Sequence, residues 1–147
     1  TTMLNEYRRR RDAVHAALAI RDGLVRYNAE LERTGLPRIA IGVGIHRGPG
    51  LAGLIGSRDR REYTVIGPTL NLAARVQALT REHGHDILLT EPVREQLDPR
   101  FDLMPMPAVP VKGISEPVVT YAVLGGREEK ARMRHLTPAL SPERRGS

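Results

Sequence analysis

The stretch Tyr63-Thr-Val-Ile-Gly-Pro-Thr-Leu-Asn-Leu-Ala-Ala-Arg75 joins two periodicities within thirteen residues. Tyr63 to Ile66 is aromatic and β-branched and reads as a strand. Gly67 and Pro68 break it. A helical run follows at once and continues to His83. Leu72, Val76 and Leu79 form its expected buried stripe, and Gly84 its expected stop. Asn71 and Arg75 lie four residues apart on another face of that helix, with Ala78 and Glu82. An amide and a guanidinium projecting together past a strand-turn suit a phosphorylated sugar. The same pair also fits a plainer reading, with Asn71 as a helix cap and Arg75 as a solvated charge.

Working upstream, Arg38 to Ile45 reads as a strand. Ile39, Ile41, Val43 and Ile45 alternate with Ala40, Gly42 and Gly44. The bulky face is expected in the core and the bare face lets another backbone or a ligand approach. A dinucleotide-binding loop is excluded, because the glycines lie inside the strand and another strand follows. His46-Arg-Gly-Pro-Gly50 reads as a turn, with Leu51 to Ile55 as the hairpin partner. His46 has no second ligand at metal-binding spacing and is a weak metal candidate. Gly56 to Glu62 reads as a charged loop carrying Arg58, Arg60 and Arg61 against Asp59 and Glu62. It fits either a solvated hairpin tip or a basic flap over phosphates.

Further upstream a helix is expected from Asp12, with Ala13, Ala17, Ile20, Leu24, Tyr27 and Leu31 as its apolar stripe. Gly35 and Pro37 end it, and it is expected to pack on a sheet. Downstream, Ile87 to Thr90 reads as a short buried strand and Glu91 to Leu97 as a short helix. Phe101 to Met104 reads as a strand that Pro105, Pro107 and Pro110 mark as an edge. Val118 to Leu124 reads as the last strand.

The 147 residues suffice for one core, which must be aliphatic: there is one Phe, four Tyr and no Trp. So few aromatics argue against a base-stacking nucleic-acid platform. The absence of Cys removes disulfides, thiolate metal sites and Cys nucleophiles. The longest apolar run, Ile39 to Ile45, is too short to cross a bilayer, and the polar, Arg-rich start does not read as a signal peptide. A cytoplasmic location is expected. The net charge of +6 divides into +3 on residues 1–11, +3 on residues 127–147 and none between. The ends carry the basic character, so no nucleic-acid partner is expected. Residues 1–11 are read as a basic N-terminal segment, residues 12–124 as the folded domain, and residues 125–147 as a basic, disordered tail.

Four segments in order resemble the catalytic domain of class III nucleotidyl cyclases. They are Ile41-Gly-Val-Gly-Ile-His-Arg-Gly48, Ala52-Gly-Leu-Ile-Gly56, the stretch Tyr63 to Arg75, and Val111-Lys-Gly-Ile114 ahead of a Tyr-containing strand. The resemblance implies an α/β fold, an α+β sandwich of ferredoxin-like character, acting as a homo- or heterodimer with active sites at the interface. It implies adenylate cyclase activity: the 3′-hydroxyl of ATP attacks the α-phosphorus, and 3′,5′-cyclic AMP and pyrophosphate result. Asn71 would orient the ribose, Arg75 would stabilise charge on the α-phosphate, and Lys112 would hold the terminal phosphates. Thr64 stands where the family reads the base, and a threonine there favours adenine.

The resemblance also implies Mg2+ or Mn2+, held by two aspartates upstream of the matched segments. Asp12 and Asp22 match neither, so a partial domain lacking the N-terminal strands and helices is expected, without metal ligands and inactive alone. Pro68 stands where the family usually has Asp. The alternative is a catalytically inactive cyclase-like module for binding or dimerisation.

Overall fold

A computed structural model describes residues 2–126, leaving aside the side chains of residues 2–11, 52, 55, 63 and 64. The elements in order are α1 (Thr2–Arg33), β1 (Val43–Ile45), β2 (Leu51–Ser57), β3 (Arg60–Ile66), α2 (Pro68–His83), β4 (Ile87–Thr90), α3 (Glu91–Arg94), β5 (Phe101–Pro105) and β6 (Thr120–Gly126). The tail read from the sequence lies, from residue 127 on, outside the described residues.

β4 decides the layering. Its four residues are all buried, which an aliphatic strand achieves only when both faces are covered. Successive side chains point to opposite faces. Ile87 and Leu89 join Val14, Ala17, Leu18, Val93, Phe101 and Val123 on the α1 side. Leu88 joins Val76, Leu79 and Ala122 on the α2 side. The result is an α/β sandwich with a four-stranded sheet, ordered β1-β4-β6-β5, between two helices. β1 runs parallel to β4, while β6 is antiparallel to both β4 and β5. The edge position of β5 agrees with the prolines that follow it, since proline cannot donate to a ladder.

Several expectations are corrected. The first helix begins at Thr2, ahead of Asp12. Its buried face is Val14, Ala17, Leu18, Asn28 and Leu31, whereas Ile20 and Tyr27 are about half exposed. The stripe is rotated because two polar residues sit on the inner face. Arg21 grips both Asp86 carboxylate oxygens at 2.7 Å and donates to the carbonyls of Val123 and Leu124. Asn28 donates to the Ile39 carbonyl at 2.9 Å and accepts from the Ile39 amide at 2.8 Å. Hydrophobicity alone cannot show a side chain that is buried because it pairs with backbone.

The first strand is only Val43–Ile45, not residues 38–45. Asn28 takes both backbone bonds of Ile39, and Ile39 and Ile41 stay exposed. Nor is Leu51–Ser57 its hairpin partner: β2 pairs with β3 in a separate two-stranded sheet, from Leu51↔Ile66 to Ser57↔Arg60. Most of the expected loop at 56–62 is therefore strand, closed by Arg58 and Asp59. Charged residues on a solvent-exposed ribbon read as loop because no face is buried. The helix expected over Glu91 to Leu97 is regular only to Arg94.

Candidate active site

The site is built where β3 hands the chain to α2. Gly67 adopts φ 135° and ψ 177°, a conformation open in practice only to glycine. Pro68 then opens the helix, where its missing N–H would have no partner anyway. This explains how proline can stand at that position without disturbing the helix. The Asn71 amide donates to the Gly67 carbonyl at 3.3 Å, so Asn71 lies inside the first turn. The helix cap is Gly67, and the capping reading of Asn71 is thereby corrected.

Asn71, Arg75, Ala78 and Glu82 are exposed, while Val76 and Leu79 are buried and Leu72 is half-buried. The helix face expected to be free is free. Arg75 forms no ion pair with any other described residue, leaving its guanidinium able to meet an anion. Gly84, at φ 68°, closes the helix by donating to the Thr80 carbonyl, as expected.

The bare face of β1 is filled by α2 itself. A Cβ on Gly44 would lie 2.7 Å from the Ala73 carbonyl oxygen and 2.8 Å from the Gln77 Cα. A Cβ on Gly42 would meet the Thr80 hydroxyl and lie 3.1 Å from the Gln77 side-chain nitrogen. Of the two occupants the sequence allowed, backbone or ligand, Gly44 has the backbone of α2, while Gly42 has α2 side chains. At the N-terminal end of α2 the Thr69 hydroxyl donates to the Pro49 carbonyl, which ties the helix to the turn after β1.

Lys112 lies in the connection between β5 and β6. A bridge between Val109 and Val118 closes the base of that loop, and Val109 packs into the α2-side cluster. The Ile114 amide donates to the Val111 carbonyl at 3.1 Å, forming a tight turn with Lys112 exposed on it. The base of the Lys112 loop is thus in the same layer as α2, with no described bond from Lys112 to Asn71 or Arg75. Thr64 pairs with Gly53 in the hairpin register, and its side chain lies outside the described residues.

His46 Nδ1 lies 2.7 Å from the Thr90 hydroxyl, and burial lowers the imidazole pKa. Its bond is structural, linking the end of β1 to the end of β4. Among the described residues no three His, Cys, Asp or Glu side chains come together as a cation site. These residues do not fit a metal centre, and no step below runs through one. The Thr69–Pro49 tie and the Asn28 clamp were not legible beforehand, since each joins a side chain to backbone at a distant position.

The strand-turn-helix presents an exposed amide and a guanidinium with no partner among the described residues, and the base of the lysine loop lies in the same layer. The chain belongs to the family of adenylate and guanylate cyclase catalytic domains, whose model matches residues 3–125. It is 40% identical over 118 residues to an adenylate cyclase of Anabaena cylindrica, an alignment covering 76% of this chain and 24% of that protein. It is 31% identical over 118 residues to adenylate cyclase 1 of Rhizobium meliloti, covering 78% of this chain and 18% of that protein. Among solved structures, the adenylyl cyclase CyaB from P. aeruginosa is similar with a TM-score of 0.66 and 25% identity, over 75% of this chain and 56% of that one. The guanylyl cyclase Cya2 is similar with a TM-score of 0.62 and 29% identity, over 70% of this chain and 51% of that one. The chain therefore spans about a quarter or less of these curated relatives and about half of these solved domains. No helix among the described residues is long and apolar enough to cross a membrane.

Proposed function

We propose that this chain supplies the transition-state-stabilising side of an adenylate cyclase site, acting in a dimer with another cyclase domain. The observation that carries the reading is the exposed, unpaired pair Asn71 and Arg75, one turn apart on a helix packed hard against the sheet. In the reaction, the 3′-oxygen of ATP forms a bond to the α-phosphorus and the bond to the pyrophosphate oxygen breaks. Arg75 donates to the equatorial oxygens as negative charge grows on them, Asn71 holds the ribose, and Lys112 receives charge on the departing pyrophosphate. Thr64 reads the adenine edge; that the substrate is ATP is supported by the adenylate cyclase relatives.

A dimer is favoured by the β2–β3 hairpin. Leu51 and Ile66 are exposed on one face of it and Leu54 and Val65 on the other. A two-stranded ribbon with apolar residues on both faces is marginal alone and is stabilised by a partner. The partner domain would contribute the acidic residues for Mg2+ or Mn2+. A second reading, a catalytically silent module for binding or dimerisation, is favoured by the absence of a cation cluster among the described residues.

The test mixes the chain with a cyclase domain that keeps its own aspartates but lacks the counterparts of Asn71 and Arg75. With ATP and Mn2+, the chain alone should make no cyclic AMP and the mixture should make it. GTP should serve less well than ATP. Turnover by the chain alone that Arg75→Ala abolishes would overturn the expected dependence on a partner. A silent mixture that nevertheless forms the heterodimer would favour the module.

A further inference from the structure

The geometry points to Thr69 as a positioning residue for Asn71 and Arg75, acting through the turn after β1; the inference rests on the reading of α2 as the catalytic helix. α2 is seated on β1 along a run of glycines. Its middle, at Ala73 and Gln77, lies over Gly44, and its later part, at Gln77 and Thr80, lies over Gly42. At its first turn Thr69 lies over Gly48, where an added Cβ would be 3.2 Å from the Thr69 Cγ2 and 3.4 Å from its Cβ. Close packing of this kind fixes the depth of the helix. It constrains sliding along the glycine track far less, because the contacts at Gly42 and Gly44 are mostly non-directional.

Direction comes from one bond. The Thr69 hydroxyl donates to the carbonyl of Pro49, a residue whose ring restricts the turn. Among the described residues no side chain caps the N-terminus of α2, whose cap residue is Gly67. Asn71 lies two residues beyond Thr69, and Arg75 follows one turn later. A small slide or rotation of the first turn would move both groups together relative to the α-phosphate. Displacements on the order of 1 Å at a reacting centre cost up to about a hundredfold in rate.

The experiment compares Thr69→Val, which keeps the shape and loses the donor, with Thr69→Ser, which keeps the donor. Each full chain is paired with the same partner domain and assayed with ATP and Mn2+. Thr69→Val should lower kcat about tenfold with little change in KM, and Thr69→Ser should restore most of it. Amide exchange of the free chain should accelerate at Asn71 to Ala73 in Thr69→Val only, with the rest of α2 unchanged. Wild-type turnover by Thr69→Val, or an equal loss in Thr69→Ser, would overturn the inference. If the wild-type mixture is silent, the cyclase reading fails on its own account and exchange decides the seat of α2. Acceleration confined to the first turn supports the tie, and unchanged exchange refutes it.

Discussion

Gly44 lies directly beneath Gln77: a Cβ added to this glycine would come within 2.8 Å of the Gln77 Cα and 2.7 Å of the Ala73 carbonyl oxygen. Backbone cannot yield as a flexible side chain can. Gly44→Ala should therefore destabilise the fold by about 3 kcal/mol, the upper end of the usual overpacking cost. Gly53→Ala is the control, since nothing lies within 4 Å of a Cβ there. Urea unfolding of the two variants checks the contrast, and equal midpoints would refute the close approach.

Asn28 stands in for a neighbouring strand. Its side-chain amide closes both hydrogen bonds on Ile39, at 2.8 and 2.9 Å. Asn28→Leu would gain apolar area yet leave two backbone groups unpaired. The expected cost is about 1–3 kcal/mol. Faster amide exchange at Ile39 in this variant, with the central strands unchanged, would locate the effect.

His46 sets a pH dependence. Burial lowers its pKa in the folded chain below the ordinary value of 6.5. The unfolded chain thus binds the proton more readily. The stability that His46 contributes is complete above 6.5 and falls as the pH drops through 6.5 toward the folded pKa. Denaturation midpoints should decline as the pH falls below the ordinary value of 6.5, and His46→Gln should flatten that slope. An unchanged slope would assign the pH response to other groups.

Arg75 is exposed and pairs with no other described residue, so its removal should hardly touch folding. Arg75→Ala is expected to change stability by less than about 0.5 kcal/mol. Turnover with a complementing partner should fall by about a hundredfold or more. A large loss of stability would mean that Arg75 serves the fold.

Gly67 holds φ at 135°, where a side chain is strained. Gly67→Ala should cost about 1–3 kcal/mol and misdirect the start of α2. Circular dichroism and thermal melting would show it, and an unperturbed variant would contradict the strained entry.

Residues that act through local pattern were readable in advance. The Leu72, Val76 and Leu79 stripe, the free face of Asn71 and Arg75, the Gly84 stop, the buried strand Ile87–Thr90 and the proline-marked edge all follow from periodicity or from backbone chemistry. Residues that act through distant backbone were not. Arg21 and Asn28 look like surface residues on a helical wheel, and both lie on the inner face because carbonyls and amides of remote segments wait there. The same cause misplaced the partner of β2, since strand pairing depends on how the chain crosses between layers.

The sequence by itself determined the family motif, the aliphatic core and the pairing of Asn71 with Arg75 on one helix face, because each rests on spacing along the chain. Only the tertiary structure decided that α2, rather than a ligand, lies against Gly44 of β1 and against Gly42 just before it. It also decided that β2 and β3 form a separate ribbon with Leu51, Leu54, Val65 and Ile66 uncovered. Spacing fixes which side chains share a face. What that face meets is fixed by packing among segments far apart in the chain.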